Sequence, residues 1–176
     1  MRRYHAASDG PLVFVRYETC AVGVLSSAPY LACLNDPTPW AREAQPNFLA
    51  NSRTVCVREG WAESGTAITI RLRAAGPLAS PALDWAGLSN ALMQMPGVVG
   101  AESWRADAGR TTAATDEMRL GGAEDSHVDH AVIVHVRDLD AARSMVAAGL
   151  PARWLAGFSA ETISYQLAAA LFYNMS

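Results

Sequence analysis

The sequence predicts an α+β fold in which antiparallel strands alternate with capped helices. Three observations carry the prediction. Short runs rich in β-branched and aromatic residues recur along the chain, bounded by Gly, Pro or Asp. Helix-type runs with capping residues lie between them. The order strand, strand, helix, strand occurs twice.

"GPLVFVRYE" (10–18) alternates, placing Leu12, Phe14, Arg16 and Glu18 on one face and Val13, Val15 and Tyr17 on the other. Thr19 is the expected cap of a helix over "CAVGVLSSAPYLACL". "NDPTPWAREAQPNF" (35–48) carries three prolines and argues against a simple helix, because proline lacks an N–H and restricts the residue before it. A stiff segment bounding a cavity is the expectation there, since proline lowers the entropy lost on ordering. Strands follow over 52–61 and 66–74, then a helix with Ser80 as cap and Pro81 at its first position. "VVGAESWRA" (98–106) is a strand, and the polar, Gly-rich stretch after it is expected to be a mobile loop. "HAVIVHVRD" (130–138) is a strand, with Asp138 capping a short helix. The tail reads as strand, a helix over its last part being the alternative.

The two halves align. "SWRA", a loop, "AVIVHVRD" and a capped helix parallel "RYHA", a loop, "LVFVRYET" and another. His135 falls on Arg16, Arg137 on Glu18, and Asp138 on Thr19. A leading strand and helix (66–95) completes β-α-β-β-α-β in the second half, the ferredoxin-like arrangement. The predicted domains are therefore an incomplete repeat, 1–61, and a full one, 62–176.

Composition restricts the function classes. The 176 residues are 51% hydrophobic and 18% charged, as a compact globular chain requires. No apolar run approaches the ~20 residues of a membrane helix. "MRRYHAASDG" has no signal-type apolar core, and Cys20, Cys33 and Cys56 have no CxxC spacing. A cytoplasmic location and buried, reduced thiols are expected. The net charge of −3 gives no general attraction to nucleic acid. All fourteen basic residues are arginine, so no Schiff-base lysine exists in this sequence. P-loop, GxGxxG and GxSxG patterns are absent from it too.

The chain resembles the EthD-like branch of the dimeric α+β barrel superfamily. The resemblance rests on "RRYHA", "VRYE", "LSSAPYLACLNDPTPW" followed by "NF" and "SRTV", and "PGVVGAESWRA". It covers most of 2–107 and, more weakly, 128–172. It differs from the double-repeat pattern in lacking the first βα of repeat one and a threonine after Trp40. The resemblance implies two four-stranded sheets facing each other as a barrel, helices outside and a small-molecule cavity within. Relatives include cyclases, isomerases, monooxygenases and haem enzymes.

Alternation then selects residues for that interior. Val132, Val134 and Val136 take the helix side, leaving Ala131, Ile133 and His135 inward; Ile68, Ile70 and Leu72 leave Thr69, Arg71 and Arg73. His135 is the candidate acid/base, with Arg71 or Arg16 holding an anion. Glu18, Tyr30, Trp40, Arg53 and Trp104 are candidate ligand contacts, Trp40 stacking near the Arg53 guanidinium. The plain alternative is cross-strand pairing of Arg16 and Glu18. "HVDH" (127–130) spaces its histidines for a helix face but lies at a strand entrance, so no metal is expected. The expected function is cofactor-independent proton transfer on an aromatic or lactone-like metabolite, of isomerase, cyclase or dehydratase type. A non-catalytic ligand-binding or accessory protein is the alternative, and a haem- or metal-dependent monooxygenase-like protein a third. An uncovered strand edge in the incomplete repeat predicts a homodimer.

Overall fold

The strands of this protein form one curled antiparallel sheet. The computed structural model describes residues 1–47, 52–74, 82–111, 115–120, 127–150 and 152–170. It divides into two compact units. The first holds the described residues of Met1–Glu18, Arg58–Arg105 and Asp129–Ser176, and the second those of Thr19–Val57 and Ala106–Val128.

The sheet has seven strands: β1 Arg2–Ala6, β2 Val13–Arg16, β3 Cys56–Glu59, β4 Thr66–Ala74, β5 Val98–Ala106, β6 His130–Val136 and β7 Phe158–Ala170. Their order is β2-β1-β7-β4-β6-β5-β3. This is one sheet, where the resemblance implied two of four strands. Its curl follows from one contact. Four strands separate β2 from β5, which in a flat sheet places them about 24 Å apart, beyond the reach of two side chains. Yet Arg16 of β2 donates to Glu102 of β5 at 2.9 Å. The sheet must bend its two ends together.

Period-two alternation gives each central strand two apolar faces. Ile68, Ile70 and Leu72 join Val132, Val134 and Val136 in a core covered by α3 (Trp85–Met93) through Leu88 and Leu92. Helix α6 (Leu139–Ala148) adds Ala141, Ala142 and Met145. Asp138 caps α6, accepting from the Ala141 N–H at 2.8 Å. The cap of α3 is Asp84, which accepts from the Gly87 N–H; Ser80 and Pro81 lie outside the described residues. Gly97 joins α3 to β5 at φ +83, and a Cβ there would overlap that of Ala141. The opposite face gathers Tyr4, Ala67, Ile133, Ile163 and Tyr165, with Phe14 and Trp104 packed against them. The tail opens with a 3₁₀ turn over Ala152–Trp154 and continues as strand β7 from Phe158 through Ala170, so its described last part is strand and not helix.

The second unit corrects several expectations. Thr19 does not cap a long helix. Its hydroxyl donates to the Ala21 carbonyl, a 3₁₀ turn covers Val22–Ser26, and α1 spans Ala28–Asn35 with Pro29 in its first turn. Proline's fixed φ starts a helix there where it would break one further in. The same holds for α2 (Pro39–Ala44), which forms despite the prolines because Pro39 stands at its start and Thr38 caps it. Arg42 folds back on this segment, donating from Nε to the Pro37 carbonyl at 2.8 Å. Strand β3 is four residues, shorter than the expected 52–61. The polar stretch after β5 contains α4 (Ala108–Thr111) and α5 (Asp116–Leu120). Among the described residues no helix is long and apolar enough to cross a membrane.

Candidate functional site

The face of the first unit's sheet away from α3 and α6 carries a buried cluster of charged and polar groups. Its centre is Glu102, fully buried on β5. Alternation alone would not put it there. Counted from Val98, which packs on the helix side, every second residue through 102 and 104 would share that side. The β5–β6 register slips between Val98 and Gly100, and this bulge moves Glu102 and Trp104 to the opposite face. Gly100 also lets the chain at Ala62 come close, since a Cβ at Gly100 would overlap the Ala62 Cβ.

Four donors converge on the Glu102 carboxylate. Arg16 Nη1 reaches Oε1 at 3.1 Å and Oε2 at 2.9 Å. The Ala62 N–H donates to Oε1 at 3.1 Å, and Trp104 Nε1 to Oε2 at 2.8 Å. His135 Nε2 lies 3.2 Å from Oε1. Burial alone would push this carboxyl up. The His135 hydrogen bond, the Arg16 charge, and the Ala62 and Trp104 donors outweigh it and hold the group down to about 2. Glu102 is therefore ionised and only accepts, so the His135 Nε2 facing it carries a hydrogen. The other ring nitrogen, Nδ1, is buried and has no hydrogen-bond partner among the described residues. A carboxylate that fixes one imidazole nitrogen and leaves the other open is the arrangement that orients a general base.

A second set of charges ties the ends of the curled sheet. Glu18 accepts from Arg2 at 2.8 Å and from Arg58 at 2.7 Å, and lies 3.3 Å from Arg16 Nη2. Arg2 also pairs with Glu63. Aromatic side chains wall the same face. Tyr4 stacks on Phe14 at 5.5 Å, Phe14 meets Tyr165 at 5.5 Å, and the Arg16 guanidinium sits 5.7 Å from the Trp104 ring. Burial raises the pKa of both Tyr4 and Tyr165, keeping them neutral hydroxyls.

Of the residues selected from sequence, His135, Arg16, Glu18 and Trp104 come together here. Arg71 does not. His135 stands opposite Ala67 on β4, and Arg71 is four residues further along, about 13 Å. It pairs with Glu161 across to β7 at 2.9 Å. With Arg73, Ser159 and Ala160 these two line a cleft of about 80 Å³, small against the several hundred of an ordinary ligand site. Tyr30 in α1 and Arg53 are half-buried, and Trp40 in α2 exposes 74% of its surface; all three belong to the second unit. His130 is buried edge-on to Phe158, and burial lowers its pKa. Among the described residues no cluster of three His, Cys, Asp or Glu is placed to hold a metal ion. Cys20 and Cys33 are exposed, against the expectation of buried thiols; Cys56 is half-buried, its thiol pushed up to about 12 by desolvation.

Glu102 and the Ala62 N–H escape sequence reasoning. The available signal was a carboxylate inside an otherwise apolar and small-residue strand, "VVGAESW", which needs a buried cation to be stable there. Comparison of the chain with protein-family models, curated proteins and solved structures finds no match.

Proposed function

We propose that this protein moves a proton on a small aromatic or lactone-like metabolite, without a cofactor, as an isomerase, cyclase or dehydratase would. His135 is the acid/base through Nδ1, Glu102 positions its ring, and Arg16 steadies the anion that forms. The observation that carries the reading is the unpartnered Nδ1 on an imidazole whose Nε2 is fixed by an ionised, buried carboxylate. Support comes from the aromatic walls of the same face, which suit a flat ligand. The EthD-like resemblance agrees with it, as does the order β7-β4-β6-β5, which a ferredoxin-like repeat over 66–170 requires. The test is hydrogen exchange in D₂O. Aromatic ketones, enol lactones and β-keto acids are incubated with the protein and followed by proton NMR. Wild type exchanges at least one acidic C–H, and His135→Gln loses roughly 10²–10⁴-fold in rate. Equal exchange by His135→Gln, or none by wild type, contradicts the proposal.

A non-catalytic accessory role is favoured by one observation: Tyr4, Ile163 and Tyr165 on this face are themselves buried, at 1%, 1% and 3% exposure. In that case no compound tested undergoes exchange. We also infer that two copies pair through the outer face of β2, an edge strand on which Val13 and Val15 are exposed, with Tyr17 exposed just beyond it.

A further inference from the structure

We propose that the Nε–H and Nη2–H edge of Arg16 is a carboxylate-binding subsite, so that the ligand of this face is an organic carboxylate. The inference deepens the proton-transfer reading and rests on it for the identity of the face. Arg16 has a side chain only 2% exposed. Its Nη1 is committed to Glu102, while Nε and Nη2 are buried without a hydrogen-bond partner among the described residues. Glu18 Oε1 lies 3.3 Å from Nη2 but outside hydrogen-bonding geometry. A guanidinium presents its N–H groups in parallel pairs, and the Nε/Nη2 pair matches the two oxygens of a carboxylate. Buried guanidinium donors that the described fold does not hydrogen-bond carry a free-energy cost, which a carboxylate seated on them would offset.

Other unpartnered atoms lie on the same face. Thr69 Oγ1 and His135 Nδ1 are buried without a hydrogen-bond partner among the described residues, and Thr69 stands in one cross-strand row with Ile133 and Glu102. A carboxylate on Arg16 would thus lie on the face that carries an open base and an open hydroxyl. The guanidinium is held in advance by Glu102 and backed by Trp104, so little ordering accompanies binding. Arg71 offers no equivalent, because it is paired with Glu161. The aromatic walls make an aromatic carboxylate the fitting class.

The probe is benzoate, with benzamide as its neutral isostere, titrated while arginine Nε–H resonances are followed by NMR. Arg16 Nε–H is assigned by its loss in Arg16→Lys, or by its cross-relaxation with the Trp104 ring if that variant does not fold. Benzoate is expected to shift this resonance saturably, and benzamide not to. Thr69→Val, which removes only an unpartnered hydroxyl, should fold normally and bind benzoate more weakly. Where Arg16→Lys folds, it should lose about tenfold or more in affinity, because a single ammonium cannot offer the paired donors. No saturable shift with benzoate, or equal binding of benzamide, overturns the subsite. Benzoate binding retained by His135→Gln while that variant has lost exchange supports both proposals. Exchange by wild type without a benzoate shift removes the subsite and leaves the proton-transfer reading standing.

Discussion

Glu102→Gln should cost about 3–5 kcal/mol of stability at pH 7, and the cost should shrink as pH falls. The substitution preserves shape but replaces an acceptor by an amide whose NH₂ faces the donors of Arg16 or Trp104. Arg16 then loses its buried carboxylate partner and keeps only the half-exposed Glu18, 3.3 Å from Nη2, and losing the buried partner of a charge is expensive. The carboxyl's displacement from 4.5 to about 2 gives an independent figure of about 3 kcal/mol. The sign follows from linkage. A lowered folded-state pKa contributes stability that is present above the unfolded value and lost as pH falls through the folded one. Between pH 7 and pH 3 the wild type should therefore lose about 2 kcal/mol from this group alone, while Glu102→Gln has no carboxyl there to titrate. Urea unfolding followed by near-UV circular dichroism measures both proteins, and their difference removes the contribution of all other carboxyls. A gap under 1 kcal/mol at pH 7, or one that stays constant down to pH 3, would mean that the ionised Glu102 does not stabilise the fold.

Gly100→Ala should cost about 1–3 kcal/mol by overpacking against Ala62, and should lift the Ala62 N–H from Glu102, visible as faster exchange of that amide. Light scattering should return about twice the 18.8 kDa chain mass, and Val15→Asp on the outer face of β2 should return the monomer; a wild-type monomer at all concentrations contradicts the pairing.

What the sequence made legible was whatever depends on neighbours along the chain. The valines at 132, 134 and 136 claim the helix side because period two leaves them no other, and His135 follows onto the opposite face. Asp138 is read as a cap because its reach to the Ala141 N–H is local. Glu102 was not legible, for two physical reasons. A one-residue bulge reverses the face on which alternation places it, and bulges carry no reliable sequence mark. Its main partner, Arg16, is 86 residues away and reaches it only because the whole sheet curls. Helix α2 was missed because proline was read as a breaker, where at a first turn it is a starter, and α1 begins only at Ala28, later than the helix expected there. Arg71 and Arg16 looked equivalent in sequence; only strand register separates the arginine beside the cluster from the one about 13 Å along β4.

Whether His135 can act as a base depends on which of its ring nitrogens carries the hydrogen. Nitrogen-15 NMR of the histidine side chains reports this directly, since a ring nitrogen bearing hydrogen and one bearing a lone pair resonate far apart. At a pH where the imidazole is neutral, the expected result is hydrogen on Nε2, held by Glu102, and a bare lone pair on Nδ1. Hydrogen on Nδ1 with a bare Nε2 would contradict it, because the carboxylate would then face a nitrogen with nothing to donate, and no open base would remain.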